Sequence, residues 1–426
     1  MKTTKLYKEI KEIDFQTICL CLVAITIPWP IRFSSLAIVL TVVVSLSDSK
    51  KNLHFEDTFR TLIGLFILYF LFHLSWWVFQ TKVDPTYWLE VEKKLALLFL
   101  PLVLLNQYRN FSEHTIKLIL GAFRFSVFVA ALCCLIIASI QYLRFDSTDV
   151  FFYHSLTKPI GHHAVYFSLE IILAFLCYHF LCFKYESKSL AIVQNIVLAI
   201  CLILLASKIM IACFSLITLY LIFSSKNNQY GSWYKILFIG LLLTTVASVV
   251  CIPKIRERFT DLSFKKLSLI KEHESNASLY FDGLSLRLLQ MKAGVDILAE
   301  NNALLIGVGS NNAQQLLNEK YNQIGLYHGE DGKGGYQGLN FHNQYVETTV
   351  RFGLLGLGLL MSILLQLLRM ATNKNSQFLL FTLFLFILFF TTESVLETQR
   401  GIVLFLFFTL ILAKTNVFNN PERVNG

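Results

Sequence analysis

Long apolar runs alternate with short polar segments along almost the whole chain. A helix needs about 20 apolar residues to cross the hydrocarbon core of a membrane, and fewer where flanking side chains reach the head groups. The pattern therefore predicts an all-α polytopic membrane protein with about 12 transmembrane helices. The predicted spans are 15–30, 33–47, 61–79, 89–106, 117–143, 163–183, 189–206, 208–224, 234–251, 342–368, 376–392 and 400–414.

One apolar stretch, from 189 to 224, is too long for a single crossing. As one helix it would measure about 54 Å at 1.5 Å per residue. Its apolar character is interrupted only at Ser207-Lys208. We therefore predict two helices that meet near Lys208.

The longest polar segment, residues 252–341, has the features of a small domain. Leu284–Glu300 carries apolar residues at helical spacing, and Asn311–Tyr321 is predicted to be a second helix. Gly329–Gly338 is rich in glycine and is predicted to be flexible. The predicted domains are 1–251 (helices 1–9), 252–341 (loop domain), 342–414 (helices 10–12) and 415–426 (tail).

Composition and charge support a membrane protein. Hydrophobic residues make up 55% of the chain and charged residues only 15%, whereas soluble domains carry about a quarter charged residues. Lys and Arg are concentrated in alternate loops, which predicts that both termini are cytoplasmic and that the loop domain lies outside. The basic N-terminal segment is expected to lie inside, ahead of a retained first helix. The net charge of +9 is explained by these topology signals, so no nucleic-acid partner is expected.

Neither the cysteines nor the histidines show metal-ligand spacing. All nine cysteines fall in or beside apolar runs, where they are expected to act as small buried hydrophobes. His162 and His163 are adjacent, so on a helix they would not share a face. Gly307-Val308-Gly309 lacks the third glycine and the strand of a dinucleotide site. We expect no metal and no cofactor.

His342 is the leading candidate for chemistry. It stands where the polar loop domain becomes an apolar helix, so it can meet both a soluble hydroxyl and a lipid head group. The imidazole of a histidine has an ordinary pKa near ~6.5, which suits a general base at neutral pH. Asn343 and Glu347 could orient His342 or bind an acceptor. A simple interfacial residue is the alternative.

Two cations could bind phosphate. Arg287 lies on the predicted loop helix, and a guanidinium facing the membrane would suit two-point binding of a phosphate. Lys208 separates two apolar runs, and a charge at such a position tends to be functional. The alternatives are a solvated surface arginine and a lysine that only marks a turn.

Two further segments contain candidate residues for the acceptor or donor site. His163 and Tyr166 begin the predicted sixth span and could point into a cavity. The last polar loop, 392–401, contains Glu393, Glu397 and Arg400. These three side chains could form a salt-bridged cap or contribute to the acceptor site.

Several motifs occur in an order that resembles the O-antigen ligase and polymerase superfamily of bacterial inner membranes. They are His-Ala-Val-Tyr-Phe-Ser (163–168), Leu-Ala-Ser-Lys (205–208), Leu-Arg-Leu-Leu-Gln (286–290), Ile-Gly-Val-Gly (306–309), Phe-His-Asn-Gln-Tyr-Val-Glu (341–347) and Gly-Leu-Leu-Gly (353–356). The resemblance extends from Gly161 to Gly401, and the His-Asn motif is its most specific part.

The resemblance implies a GT-C-like, inverting, metal-independent glycosyltransferase in the inner membrane with a periplasmic active face. Its donor would be a glycan on undecaprenyl diphosphate, and its acceptor a lipid A–core, a second lipid-linked repeat or a protein hydroxyl. By resemblance, His342 matches the essential loop histidine and Arg287 the arginine that contacts the diphosphate. Lys208 stands where the family usually has arginine, and lysine cannot make the same two-point contact.

Two other functions compete with a ligase. A polymerase of the same superfamily would differ only in its acceptor. A transporter of lipid-linked sugars would suit twelve spans, because transporters favour broken helices and charges at the membrane midplane. The loop domain of about 90 residues and the scarcity of charge within the spans, Arg124 being the clearest case, count against the transporter. A sensor or scaffold would leave the His-Asn motif without a role.

Overall fold

The computed structural model of the chain is helical almost throughout. It describes residues 14–47, 57–78, 86–106, 111–181, 188–224, 250–260, 283–326 and 333–415, with short pieces between 239 and 248 and at 329–330. The first helices are α1 (Phe15–Thr26), α2 (Ile31–Ser47), α3 (Asp57–Val78), α4 (Thr86–Lys94), α5 (Ala96–Asn106), α6 (Glu113–Phe145), α7 (Tyr153–Thr157) and α8 (Ala164–Leu181). They are followed by α9 (Lys188–Leu205), α10 (Lys208–Ser224), α11 (Pro253–Thr260), α12 (Gly283–Glu300), α13 (Ser310–Gln323), α14 (Gln344–Asn373), α15 (Gln377–Phe390) and α16 (Gln399–Lys414).

The predicted spans largely coincide with these helices. Within the described residues, four helices are long and apolar enough to cross a membrane, at Asp57–Trp76, Glu113–Phe145, Ala164–Leu181 and Gln344–Asn373. Five shorter apolar helices accompany them. The predicted span 89–106 is divided between α4 and α5, and most of the predicted span 234–251 lies outside the described residues. The helices indicate a multi-pass membrane protein, and the total of twelve crossings stays a prediction.

The predicted break near Lys208 is confirmed. Helix α9 ends at Leu205 and α10 begins at Lys208. Between them Ala206 has a φ of +46°, a left-handed conformation that disfavours continuation of a right-handed helix. The apolar stretch is therefore two helices joined by Ala206 and Ser207.

Helix α16 is the central helix of the bundle. Every residue from Gly401 to Lys414 is buried, which fits a segment that is apolar on all sides. The ring of Phe405 packs against Phe66, Phe386 and Phe390, with ring centroids 6.0, 5.0 and 5.3 Å apart. The buried hydroxyl of Thr409 donates to the carbonyl of Phe405 at 2.6 Å. This polar side chain therefore has a hydrogen-bond partner within its own helix.

The loop domain, here the described residues 283–341, has a hydrophobic core of its own. Helices α12 and α13 contribute most of that core, and Phe341 and Val350 complete it. Gln290 donates to the buried hydroxyl of Tyr321 at 2.9 Å, which ties the two helices together. Within the predicted flexible stretch, Gly329–Glu330 pairs antiparallel with Lys333–Gly334. The domain is thus packed directly onto the start of α14.

Helix α14 is kinked at Gly353, where φ is +66° and ψ is −164°. A turn formed by residues 304–309, here called the kink hairpin, replaces the helical hydrogen bonds lost there. The N–H groups of Val308 and Gly309 donate to the carbonyls of residues 350 and 351, at 2.8 and 3.0 Å. The carbonyls of Leu304 and Leu305 accept from the N–H groups of residues 354 and 355, at 2.9 and 3.2 Å. The kink therefore leaves these four backbone groups paired.

Glycine is required at position 353, and we expect Gly353→Ala to destabilise the protein by about 1–3 kcal/mol or more. A Cβ there would stand 2.2 Å from the backbone carbonyl of Leu305, and the positive φ adds strain. Unfolding of the purified protein in detergent would measure the loss. Gly358→Ala is the matched control on the same helix, because a Cβ there meets nothing within 4 Å. Equal stabilities of the two variants would contradict this account.

Candidate functional site

The segment Asn340–Asn343 holds His342 in a strained but well-fixed position. The φ of His342 is +46°, a conformation that costs a non-glycine residue roughly 1–2 kcal/mol. The side chain of Asn340 accepts from the N–H of His342 at 3.0 Å. The side chain of Asn343 caps α14 by accepting from the N–H groups of Tyr345 and Val346, each at 3.0 Å. Such strain is retained where the surrounding structure over-determines it, often at functional sites.

One carboxylate joins the two leading candidates. Oε2 of Glu393 lies 3.3 Å from Nδ1 of His342, and Oε1 lies 3.1 Å from Nη2 of Arg287. Nε of Arg287 also donates to the carbonyl of Thr392 at 3.1 Å. Glu393 is buried, whereas His342 and Arg287 are partly exposed. The structure thus places the imidazole and the guanidinium side by side on one face, with Glu393 beneath them.

The charge state of Glu393 determines the tautomer of His342. Burial raises the pKa of Glu393, but the hydrogen bond and charge of His342 and the charges of Arg287 and His163 outweigh it, so its pKa is lowered overall. An ionised carboxylate can only accept hydrogen bonds. Nδ1 of His342 is therefore the donor, and in the neutral ring Nε2 has a free lone pair. That is the arrangement of an oriented general base.

A buried ionic network lies behind this face. Glu347 pairs with Arg351 at 2.6 Å, Arg351 with Glu397 at 3.3 Å, and Glu397 with Lys94 at 2.6 Å. All four residues are buried. Burial raises the pKa of Glu397, and the charges of Arg351 and Lys94 lower it by more, so the carboxyl stays ionised at neutral pH. The network joins α4 and α14 to the connection between α15 and α16.

The connection 391–398, between α15 and α16, brings the site together. The carbonyl of Thr391 accepts from Asn343 Nδ2 at 3.1 Å, and Oγ of Ser394 donates to Glu347 at 3.0 Å. The N–H of Leu396 donates to the side chain of Gln344 at 2.6 Å. Glu393 and Glu397 lie in the same connection and make the ion pairs described above. The loop for which a salt-bridged cap or a part in the acceptor site was predicted is thus the segment that contacts both His342 and Arg287.

The contacts of Glu347 and Asn343 support the loop, and a role for either residue in binding an acceptor stays a prediction. Glu347 accepts from the N–H of Phe341 at 3.1 Å in addition to pairing with Arg351. Among the described residues, the carboxylate that contacts the His342 ring is Glu393, so Glu393 occupies the orienting position for which Glu347 was suggested. Asn343 fixes the loop through its helix cap and its bond to Thr391.

His163 and Tyr166 approach the same connection from α8. The ring of His163 lies edge-on to His154, with centroids 4.3 Å apart, and it is near enough for its charge to act on Glu393. The hydroxyl of Tyr166 lies 3.2 Å from Oγ1 of Thr398. His163 is exposed and Tyr166 buried, so His163 is the one of the pair that borders the open side of the site.

The cap predicted for the last polar loop is not formed as expected. Arg400 donates to the carbonyls of Gly161 and Trp29, at 3.2 and 3.3 Å, and the two glutamates of the loop pair with other cations. The prediction of a salt bridge between Arg400 and these glutamates was wrong, because both carboxylates are buried beside the cations of α12 and α14. Arg400 instead holds the loops before α2 and α8 in place.

Lys208 is the first residue of α10 and is half-buried. Its position at a break between two apolar helices agrees with the sequence analysis. A role for Lys208 on the diphosphate stays a prediction.

Glu393 is the residue that the sequence analysis did not single out as a partner of His342. The signal was present, since two carboxylates lie between two apolar spans, where unpaired charges are costly. The pairing itself could not be predicted from the sequence, because Glu393 is 51 residues from His342 and 106 from Arg287 in the chain. Within the described part of the chain, no three His, Cys, Asp or Glu side chains are grouped so as to hold a metal ion.

Comparison with known families agrees with the sequence motifs. Residues 195–361 match the family model Wzy_C, described as O-antigen ligase. Over these residues the resemblance noted in the sequence is confirmed, and the helices described above indicate a multi-pass membrane protein. A search of curated proteins found no match to the chain. The matched region contains Lys208, Arg287 and His342, whereas Glu393 lies beyond its end.

Proposed function

We propose that this protein is an O-antigen ligase-type glycosyltransferase. It would transfer a glycan from undecaprenyl diphosphate to a hydroxyl of a lipid A–core or similar acceptor. The observation that carries the proposal is the pairing of His342 and Arg287 on the two oxygens of Glu393, at 3.3 and 3.1 Å. The match to Wzy_C supports the reaction class and lipid-linked glycans as substrates.

His342 has the role of general base in this proposal. Its Nδ1–H is held by Glu393, so Nε2 receives the proton of the acceptor hydroxyl. As the proton leaves, the hydroxyl oxygen attacks the anomeric carbon of the donor from the face opposite the diphosphate. The new glycosidic C–O bond forms while the bond from that carbon to the phosphate oxygen breaks. The configuration of the anomeric carbon is inverted.

Arg287 has the role of stabilising the leaving group. The bond to the anomeric carbon breaks with its electron pair staying on the diphosphate, so negative charge grows there. A preorganised guanidinium is well suited to stabilise that charge. Lys208 is the second cation assigned to the diphosphate, as a point charge. Because a lipid diphosphate is already a good leaving group, the mechanism needs neither a protein acid nor a metal.

The charge pattern supports a location for the reaction. Excess Lys and Arg in alternate loops favours cytoplasmic termini and a loop domain on the outer side of the membrane. By resemblance to the family, that side is the periplasmic face of a bacterial inner membrane. The donor lipid would lie in the outer leaflet of that membrane, with its diphosphate at the level of Arg287. The acceptor glycan would reach His342 from the same side.

The test is transfer by the purified protein in lipid vesicles. Undecaprenyl diphosphate carrying a labelled glycan is supplied with lipid A–core in one reaction and without it in another. Labelled lipid A–core with inverted anomeric configuration supports the ligase. A lipid-linked product with two repeats, made without lipid A–core, assigns a polymerase instead. Movement of the labelled lipid across the bilayer with no new glycosidic bond overturns the proposal in favour of a transporter.

A further inference from the structure

The Glu393 carboxylate and the carbonyl of Thr392 together occupy one edge of the Arg287 guanidinium. Nη2 of Arg287 is bound to Oε1 of Glu393 at 3.1 Å, and Nε is bound to the carbonyl of Thr392 at 3.1 Å. These two nitrogens form one of the two edges with which a guanidinium can bind an anion at two points. Among the described residues, Nη1 makes a 3.5 Å contact with the carbonyl of Gly283 in its own helix.

A buried carboxylate and a diphosphate cannot share that edge at low cost. Both are anions, and like charges within a few ångströms repel strongly where water is largely excluded. Glu393 has a second partner in place, because its Oε2 already faces Nδ1 of His342. If the contact with Arg287 were lost, Glu393 would therefore still be paired with His342.

The geometry points to Glu393 as a placeholder that occupies Arg287 until the donor diphosphate binds. Donor binding displaces Glu393 from Arg287, and Glu393 then contacts His342 alone. This inference rests on the proposed function. With Arg287 turned to the diphosphate, the carboxylate of Glu393 is no longer shared with the guanidinium, and its charge and hydrogen bond are directed at Nδ1 of His342. The base is thus strengthened only when a donor is bound. Glu393 is a positioning residue in this scheme, since it acts through Arg287 and His342.

The placeholder predicts an unusual kinetic signature for Glu393→Gln. Glutamine keeps the shape of the side chain and can still accept from Nδ1, but it competes less for Arg287 and lacks the charge that supports the base. We expect KM for the donor to fall about fivefold or more and kcat to fall at least about tenfold. A purely structural role would instead raise KM or lower kcat alone. Glu300→Gln is the matched control, because Glu300 is an exposed loop-domain glutamate paired with Lys320.

A direct binding measurement keeps the inference testable even if Glu393→Gln turns over too slowly. Undecaprenyl diphosphate without a glycan is titrated into wild type, Glu393→Gln, Arg287→Ala and the double variant. Tighter binding by Glu393→Gln that disappears in the double variant supports the placeholder. Equal or weaker binding by Glu393→Gln overturns it. Absence of transfer by wild type would refute the proposed function separately, since this titration needs no acceptor.

A second, independent observation concerns the tip of the kink hairpin. Leu304, Leu305 and Ile306 are consecutive large apolar residues that are 55, 61 and 52% exposed. They lie in a segment that the sequence assigns to the water-facing loop domain. Backbone bonds of Leu304 and Leu305 place these residues beside Leu354 and Leu355, which are also exposed, and Ile306 follows directly in the chain. The five side chains form one apolar surface.

That surface continues the apolar face of the spanning part of α14. From the kink to Asn373 the helix has about 20 residues, or roughly 30 Å, which matches the hydrocarbon core of a bilayer. The hairpin is therefore level with the edge of that core. Irregular backbone is tolerated at such depth only where its polar groups are paired within the protein. The four bonds at the kink meet that requirement.

We infer that residues 304–306 are immersed in lipid and anchor the loop domain to the bilayer beside the site. A photoreactive phenylalanine analogue placed at Leu305, in vesicles containing radiolabelled lipid, tests this. We expect a lipid adduct at 305 and none at Glu319, an exposed residue on α13 that serves as the control. A cross-link to a second protein chain, or no lipid adduct at 305, overturns the inference.

Discussion

We expect His342→Gln to lower the rate of glycan transfer by about 100- to 10,000-fold, the range that a general base contributes. Glutamine has similar size and can keep a hydrogen bond to Glu393, but it cannot accept a proton at neutral pH. Because donor binding depends on Arg287 and Lys208 in the proposed mechanism, the KM for the donor should change little. Initial rates in vesicles with labelled donor and lipid A–core would measure both constants.

A histidine distant from the site provides the control for this substitution. His114 lies in the first turn of α6 and is exposed, so His114→Gln should transfer glycan at the wild-type rate. If His342→Gln also kept full activity, the imidazole would not be the base, whatever the family match implies. A loss of activity in both variants would indicate an effect of histidine replacement on expression or insertion.

The second large effect concerns stability. We expect Arg351→Met to lower the free energy of unfolding by about 3–5 kcal/mol, because it leaves the buried carboxylates of Glu347 and Glu397 short of a cation. The two partners lie 2.6 and 3.3 Å from the guanidinium. Adding Glu347→Gln should recover part of the loss, since one of the stranded charges is then removed. Unfolding by denaturant in detergent micelles would measure all three proteins.

An ion pair with the same spacing but on the surface supplies the comparison. Glu113 and Lys117 also pair at i, i+4 within a helix, but Glu113 is exposed and Lys117 is partly exposed. Lys117→Met should cost at most about 1 kcal/mol. If Arg351→Met were equally mild, the network behind His342 would not be what fixes the connection 391–398.

The sequence predicted the parts of the fold that depend on local pattern. Continuous apolar runs gave most of the helices, and the apolar spacing of Leu284–Glu300 corresponds to α12, Gly283–Glu300. The break at Lys208 was predictable because a helix of that length could not fit one crossing. His342 and Arg287 were found because polar residues at a membrane boundary are few and conspicuous.

The remaining features depend on contacts between distant segments. Nothing in the run Phe352–Leu368 distinguishes Gly353 from Gly356 or Gly358, since the need for glycine at 353 comes from its positive φ and from the approach of the 305–306 backbone. The carboxylates of 391–398 could be recognised as unusual, but their partners lie on α4, α12 and α14. A pairing across such separations is set by tertiary packing and has no local signature.

The backbone hydrogen bonds between the kink hairpin and α14 limit how far His342 can move. Bending at Gly353 would break several main-chain bonds at once, so the imidazole stands at a set height above the lipid-facing half of its helix. Substrates must therefore reach the height of His342, because the histidine cannot move towards them. In the proposed mechanism, the distance that a lipid-borne sugar extends beyond its own head group therefore decides whether it can reach His342.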